Sequence, residues 1–161
     1  MDVFRVRLPN HCFLPPDHYL CIMDGSKGKK IILFDGVCNL CNGAVQWIIR
    51  RDQRDVFRFA SLQSEVGGEL TRSRQIDTDR VDSIILIDPG VAYYIKSDAA
   101  LEIARELKGY RILPVLFGWI PKTLRDAVYD LVARNRYRMF GKKQECMVPT
   151  PELQSRFLQN D

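Results

Sequence analysis

Apolar residues along this chain switch between two periods, and the switches mark its elements. The run Lys30-Ile-Ile-Leu-Phe34 is short, rich in β-branched residues and closed by Asp35-Gly36, which predicts a buried strand entering a turn. From Leu40 the period lengthens. Cys41, Ala44, Val45, Ile48 and Ile49 share one face of a predicted helix that Arg50, Arg51 and Asp52 close. Residues 56–60 alternate and predict a second strand, whereas 61–74 predict a weaker helix because Gly67 and Gly68 both lower helix propensity. Residues 83–87 and 91–96 predict a hairpin turning at Asp88-Pro89-Gly90, where proline presets one turn angle and glycine accepts a positive φ. Ser97 is expected to cap a helix over 98–108, with Ala100, Leu101, Ala104 and Leu107 on its apolar side and Gly109 at its stop. Pro114 interrupts the next apolar stretch, and Pro121 is expected to open a helix to about residue 134, striped by Leu124, Val128, Leu131 and Val132. Trp47 and Trp119 fall in apolar helical stretches and are expected in the core.

The resulting order, β-α-β-α-β-β-α plus further helix, is that of an α/β fold with a mixed sheet. Residues 1–29 break the pattern. They hold three prolines, both histidines and two cysteines without a sustained period, and read as an irregular N-terminal extension. Residues 30–110 read as the core, and 111–161 as a basic helical C-terminal extension packed on it. A length of 161 residues, 46% hydrophobic and 27% charged, is that of one ordinary globular domain able to fold without a metal or disulfide framework. The longest apolar stretch, 112–121, is about half of the roughly 20 residues a membrane span requires. The start MDVFRVRLP lacks the apolar core of a secretory signal. A soluble, cytoplasmic protein is the expectation. The net charge of +4 is uneven: between positions 105 and 143 ten Lys/Arg stand against three carboxylates. That surface suits a nucleic-acid or acidic partner or, more simply, a solvated helix face with an ordinary basic tail.

The positions of the five cysteines narrow the chemistry. Cys38-Asn39-Leu40-Cys41 lies where the first strand gives way to the first helix. A sulfur just ahead of a helix faces unpaired backbone N–H groups and the positive end of the dipole, which favours the reactive thiolate. Cys41, one turn on, belongs to the apolar face, close to Cys38 yet shielded. One attacking and one resolving thiol is the division that dithiol exchange needs. Metal binding is the alternative: His18-x-x-Cys21, sixteen residues, then Cys38-x-x-Cys41 has the spacing of a four-ligand zinc site. Against it, a strand fills the gap and the second pair enters a long helix.

The stretch FDGVCNLCNGAVQWIIRRD resembles the DCC family of thiol–disulfide oxidoreductases, whose Asp-x-x-Cys-x-x-Cys pattern maps onto Asp35, Cys38 and Cys41. ARNRYRMFGKKQECMVP (133–149) is similar to that family's basic C-terminal segment and ends here in Cys146. The resemblance covers about residues 30–157. It implies a thioredoxin-like mixed sheet flanked by helices and exchange with protein or small-molecule disulfides, reset by an external thiol reductant. No cofactor is implied, and membrane or nucleic-acid partners are not. Thioredoxin's Gly-Pro is replaced by Asn39-Leu40, and no proline stands in 78–82, where a thioredoxin carries a cis-proline ahead of its third strand. Asp35 can relay protons to Cys41 or hydrogen-bond the N–H groups of its own turn. The setting of Cys146 among arginines and lysines suits either an extra redox thiol or an incidental one, and Cys12 and Cys21 read as incidental. A non-catalytic redox-sensing or interaction module using the basic C-terminal surface is the remaining reading.

Overall fold

The apolar run closed by Asp35 forms strand β1 (Lys30–Phe34), which lies inside a four-stranded sheet ordered β2-β1-β3-β4. The computed structural model describes residues 28–78, 84–88, 92–142 and 151–158. After β1 come α1 (Asn39–Arg51), β2 (Phe57–Ser61), α2 (Glu65–Ser73), β3 (Ile85–Asp88) and β4 (Ala92–Ile95). Four more helices follow: α3 (Lys96–Glu106), α4 (Leu113–Gly118), α5 (Lys122–Phe140) and α6 (Pro151–Gln154). β1 runs parallel to β2 and antiparallel to β3, and β4 returns antiparallel to β3. This mixed sheet flanked by helices is consistent with the thioredoxin-like fold.

Alternation along β1 divides the core in two, because successive side chains point to opposite faces. Ile32 and Phe34 face Val45 and Ile48 of α1 and Ala99 and Ile103 of α3. Ile31 and Leu33 face Val66 and Leu70 of α2. α1 is therefore held over the carboxyl end of β1, where the chain has just left the sheet. The parallel edge is also covered: Phe59 N–H donates to the Arg156 carbonyl (2.9 Å), and Leu158 N–H donates to the Phe59 carbonyl (2.8 Å). Phe157 packs edge-on to Phe34, with ring centroids 6.1 Å apart.

Several sequence expectations change. The predicted helix at 61–74 shortens to Glu65–Ser73, with Ser64 as N-cap accepting from Gly67 N–H. Gly67 is a requirement of packing there. A Cβ on it would stand 2.0 Å from the Ser61 carbonyl oxygen, whereas one on Gly68 would meet only the Arg72 guanidinium at 3.8 Å. Gly67→Ala is accordingly expected to cost about 2 kcal/mol or more by overpacking against backbone. Gly68→Ala is expected to be neutral or stabilising by up to about 1 kcal/mol. Urea denaturation of the two variants checks the contrast.

The predicted helix at 98–108 begins instead at Lys96, and Ser97 does not cap it: the N-cap is Ile95, and the Ser97 hydroxyl hydrogen-bonds Asp126 of α5. The helix opened by Pro121 runs on to Phe140, past the expected end at 134. Its stripe does not enter the core, since Leu124, Val128, Leu131 and Val132 all stand exposed. The polar face turns inward in its place: Arg125 pairs with Asp98, Asp130 pairs with Lys96, and the Ile84 N–H donates to the Tyr129 hydroxyl at 3.2 Å. Trp119 is 81% exposed, and Trp47 lies half-exposed between Arg51 and Tyr110 rather than in the core. The Pro89-Gly90 turn, the 79–82 approach to β3, most of the N-terminal extension with Cys12, His18 and Cys21, and Cys146 lie outside the described residues.

Candidate active site

β1 leaves the sheet at Phe34, and a few residues later the chain enters α1 with Cys38 as N-cap in extended conformation. The turn is held from within. Asp35 accepts from Val37 N–H at 3.1 Å, Cys38 N–H donates to the Asp35 carbonyl at 3.2 Å, and Asn42 Nδ2 donates to the Gly36 carbonyl at 2.9 Å. An N-cap side chain normally offers oxygen to an orphan N–H of the first turn. Here the acceptor is sulfur: Cys41 N–H donates to Cys38 Sγ at 3.4 Å. Negative charge developing on that sulfur meets a backbone donor and the positive end of a 13-residue helix.

Cys41 stands one turn along, and both cysteines are free thiols. Burial pushes the Cys41 thiol well up from its ordinary range, and its hydrogen bond to Cys38 adds to the rise; the Arg136 charge draws it down, while Asp35 adds to the rise. Exposure does not separate the two sulfurs as expected, for Cys38 is fully buried and Cys41 is 8% exposed. The cause lies far along the chain. Cys38 forms an isolated antiparallel bridge with Lys142, and Asn39 Nδ2 donates to the Phe140 carbonyl at 2.9 Å, so the chain at the end of α5 passes alongside the N-cap.

Asp35 is the centre of a buried network. Its Oδ2 accepts from Arg136 Nη2 at 3.0 Å and from the Tyr137 hydroxyl, and its Oδ1 accepts from Gln63 Nε2 at 3.0 Å. Gln63 in turn accepts from Gly36 N–H at 3.0 Å. Arg136 is 4% exposed and also donates to the Tyr137 hydroxyl at 2.8 Å. Asp35 thus serves its own turn, as one of its two readings required, and carries a salt bridge to a residue 101 positions away. Arg136, Tyr137 and Gln63 were not singled out from the sequence as partners of the site. The one signal pointing to Arg136 and Tyr137 was the basic, aromatic 133–149 segment. A cleft of about 760 Å³ opens beside this network, lined by Asp35, Gln63, Ser64, Arg72, Arg136 and Tyr137. Of the zinc alternative's ligands, Cys38 and Cys41 lie together, while His18 and Cys21 are outside the described residues.

A family model described as DCC1-like thiol-disulfide oxidoreductase matches residues 32–142, a span that holds Asp35, both cysteines and Arg136. The chain belongs to this family. Its relatives include the uncharacterized protein YuxK of Bacillus subtilis, 52% identical over 130 residues, which are 81% of this chain and 94% of that protein. A chloroplastic DCC family protein of Arabidopsis thaliana is 39% identical over 119 residues, 73% of this chain and 69% of that one. No solved structure gives a significant match. Membership supports a thiol–disulfide redox function. Among the described residues no helix is long and apolar enough to cross a membrane.

Proposed function

We propose that this DCC1-like protein is a dithiol reductase of protein disulfides, with Cys38 attacking, Cys41 resolving and Asp35 and Arg136 governing the resolving thiol. The observation that carries the reading is the N-cap sulfur of Cys38, which accepts Cys41 N–H at the helix start. Cys38 thiolate attacks one sulfur of a substrate disulfide; the S–S bond breaks, a Cys38–substrate disulfide forms and the other substrate sulfur leaves as thiolate. Cys41 then loses its proton and attacks Cys38, forming the Cys38–Cys41 bond and releasing the second substrate thiolate. Two electrons have passed to the substrate, and an external dithiol returns them.

The backbone N–H and the positive end of the helix already face the Cys38 sulfur, so little reorganisation is required when charge develops there. The buried Cys41 thiol stays protonated until a mixed disulfide has formed, which prevents it from competing as first nucleophile. Access to Cys38 requires the 140–142 segment to move aside, since it pairs with Cys38 and Asn39 in the resting protein. Residues 30–110 form the redox core in this reading, and 111–161 a basic extension packed on it. Five cysteines, too few for a disulfide framework, fit a reducing compartment such as the cytosol. An interaction or redox-sensing module would need neither turnover nor a mixed disulfide.

Cys41→Ser tests the proposal. Presented with a disulfide-bonded protein such as insulin, it is expected to accumulate a covalent adduct at Cys38 that dithiothreitol releases, visible on a non-reducing gel. The Cys38→Ser, Cys41→Ser double variant is expected to give none. An adduct that persists without Cys38 would remove that residue from its role.

A further inference from the structure

The long helix α5 stands with its apolar side to solvent. Leu124, Val128 and Leu131 follow one another at helical spacing and are each more than half exposed. Next to them the short helix α4 presents Val115, and the turn between the two helices presents Trp119, both at least three-quarters exposed. A monomeric protein rarely leaves so many large apolar side chains uncovered along neighbouring stretches of chain. The polar side of α5 cannot be exchanged for it, because Asp126, Tyr129 and Asp130 are bonded to Ser97, Ile84 and Lys96.

Charge decides what covers the face. From Leu107 to Phe140 the only carboxylates are Asp126 and Asp130. Both are turned inward, Asp126 onto Ser97 and Lys122, and Asp130 onto Lys96. Four of the seven cations stand to solvent: Lys108, Arg111, Arg134 and Arg138 are all exposed, whereas Lys122, Arg125 and Arg136 are paired with carboxylates. Arg138 continues the line of Leu124, Val128 and Leu131 on the same side of the helix, at i+14 from the first of them. A second copy docked face to face would bring cations against cations with no acid from this stretch to meet them. The helix of 19 residues is about 28 Å long, a strip suited to a plane.

We propose that the α4–α5 face docks on the surface of an anionic lipid bilayer, with Val115, Trp119 and Leu131 entering the headgroup boundary and Arg111, Arg134 and Arg138 meeting lipid phosphates. Protruding apolar side chains with an indole among them and a basic fringe are the composition of an interfacial helix. The docking is peripheral and reversible, and salt weakens it. It leaves the chemistry of Cys38 untouched, though the Phe140 carbonyl bonded to Asn39 sets the redox pair beside one end of the docked strip.

The test uses the full reduced chain with vesicles of phosphatidylcholine alone or mixed with phosphatidylglycerol. Partition is expected to be about tenfold or more stronger on the mixed vesicles and to fall with salt. Trp119 emission, read in a Trp47→Phe background, is expected to shift to the blue on binding. The Val115→Glu, Leu131→Glu double variant is expected to lose partition about tenfold or more, with its melting temperature and dithiol activity unchanged. Absence of partition, or equal partition on both vesicle types, overturns the proposal. So does a concentration-dependent dimer that shields Trp119 in the absence of lipid, which would assign the face to a second copy.

Discussion

Arg136→Ala is expected to destabilise the folded protein by about 3–5 kcal/mol, because it strips the Asp35 carboxylate of a buried cation. Asp35 and Arg136 are both less than a tenth exposed, and their 3.0 Å contact ties α5 to the turn that sets Cys38. The carboxylate would keep Tyr137, Gln63 and one backbone N–H, but none of these carries charge. Asp35→Asn is also expected to destabilise: its amide oxygen can keep the bonds from Val37 and Gln63, but an NH2 replaces the oxygen that accepts from Arg136 and Tyr137 and the guanidinium loses its counter-charge. If the two side chains act as a pair, the double variant loses clearly less than the sum of the single losses. Arg136→Lys separates charge from shape: it keeps the cation but not the planar fork, so partial recovery of stability is expected. Urea melts of the wild type and these four variants measure all of this, and additive losses would show that the two groups act separately. A second readout concerns chemistry. Arg136 draws the Cys41 thiol down, so in Arg136→Ala the release of a Cys38-linked substrate is expected to shift to higher pH. A purely structural role for Arg136 would leave that profile in place.

The second large effect is a loss of stability at alkaline pH that belongs to the reduced protein alone. Burial holds the Cys41 thiol well above its ordinary range, and the hydrogen bond to Cys38 adds to this. A group whose pKa is raised on folding contributes its full stability below the unfolded value and loses it as pH climbs above that value. In the unfolded chain Cys41 ionises freely near pH 9, whereas in the folded chain it stays neutral. From about pH 8 to about pH 10 the reduced protein should therefore lose on the order of 1 kcal/mol through this group. The oxidised protein, with Cys38 and Cys41 joined in a disulfide, has no Cys41 thiol to titrate and should lack this loss. Reduced Cys41→Ala should also lack most of it, which separates Cys41 from the lysines and tyrosines that titrate in the same range. Equal pH slopes for reduced wild type and Cys41→Ala would place the Cys41 thiol in a far more polar setting.

Much of the site was legible because its logic is local. The β-branched run ending at Asp35, the change of period at Leu40 and the spacing of Cys38 and Cys41 all act within one turn of chain. They placed a sulfur at a helix start, and the N-cap geometry of Cys38 follows from the same few residues. The two glycines of α2 show where such reasoning stops. By propensity Gly67 and Gly68 are alike, and only the approach of the Ser61 carbonyl makes the first of them a requirement. Ser97 shows it again: its hydroxyl could have capped its own helix, but Asp126 of α5 is the partner it finds.

The helix α5 marks the division most clearly. Its period was correct and its facing was not, because an apolar stripe states only that a helix has two sides. Which side turns inward depended on polar partners brought from α3 and β3, where Lys96, Ser97 and the Ile84 N–H needed bonds that Asp130, Asp126 and Tyr129 supply. The same rotation carries Arg136 onto Asp35 and brings Phe140 and Lys142 beside the N-cap. The sequence by itself thus determined the elements, the dithiol and its place at a helix start, since those rest on backbone periodicity and capping over a few residues. The tertiary structure alone decided the burial of Cys38, the cation beside Asp35 and the outward apolar face. Each of those depends on contacts between segments some thirty to a hundred residues apart, and no short-range pattern encodes which of two polar groups will find the other.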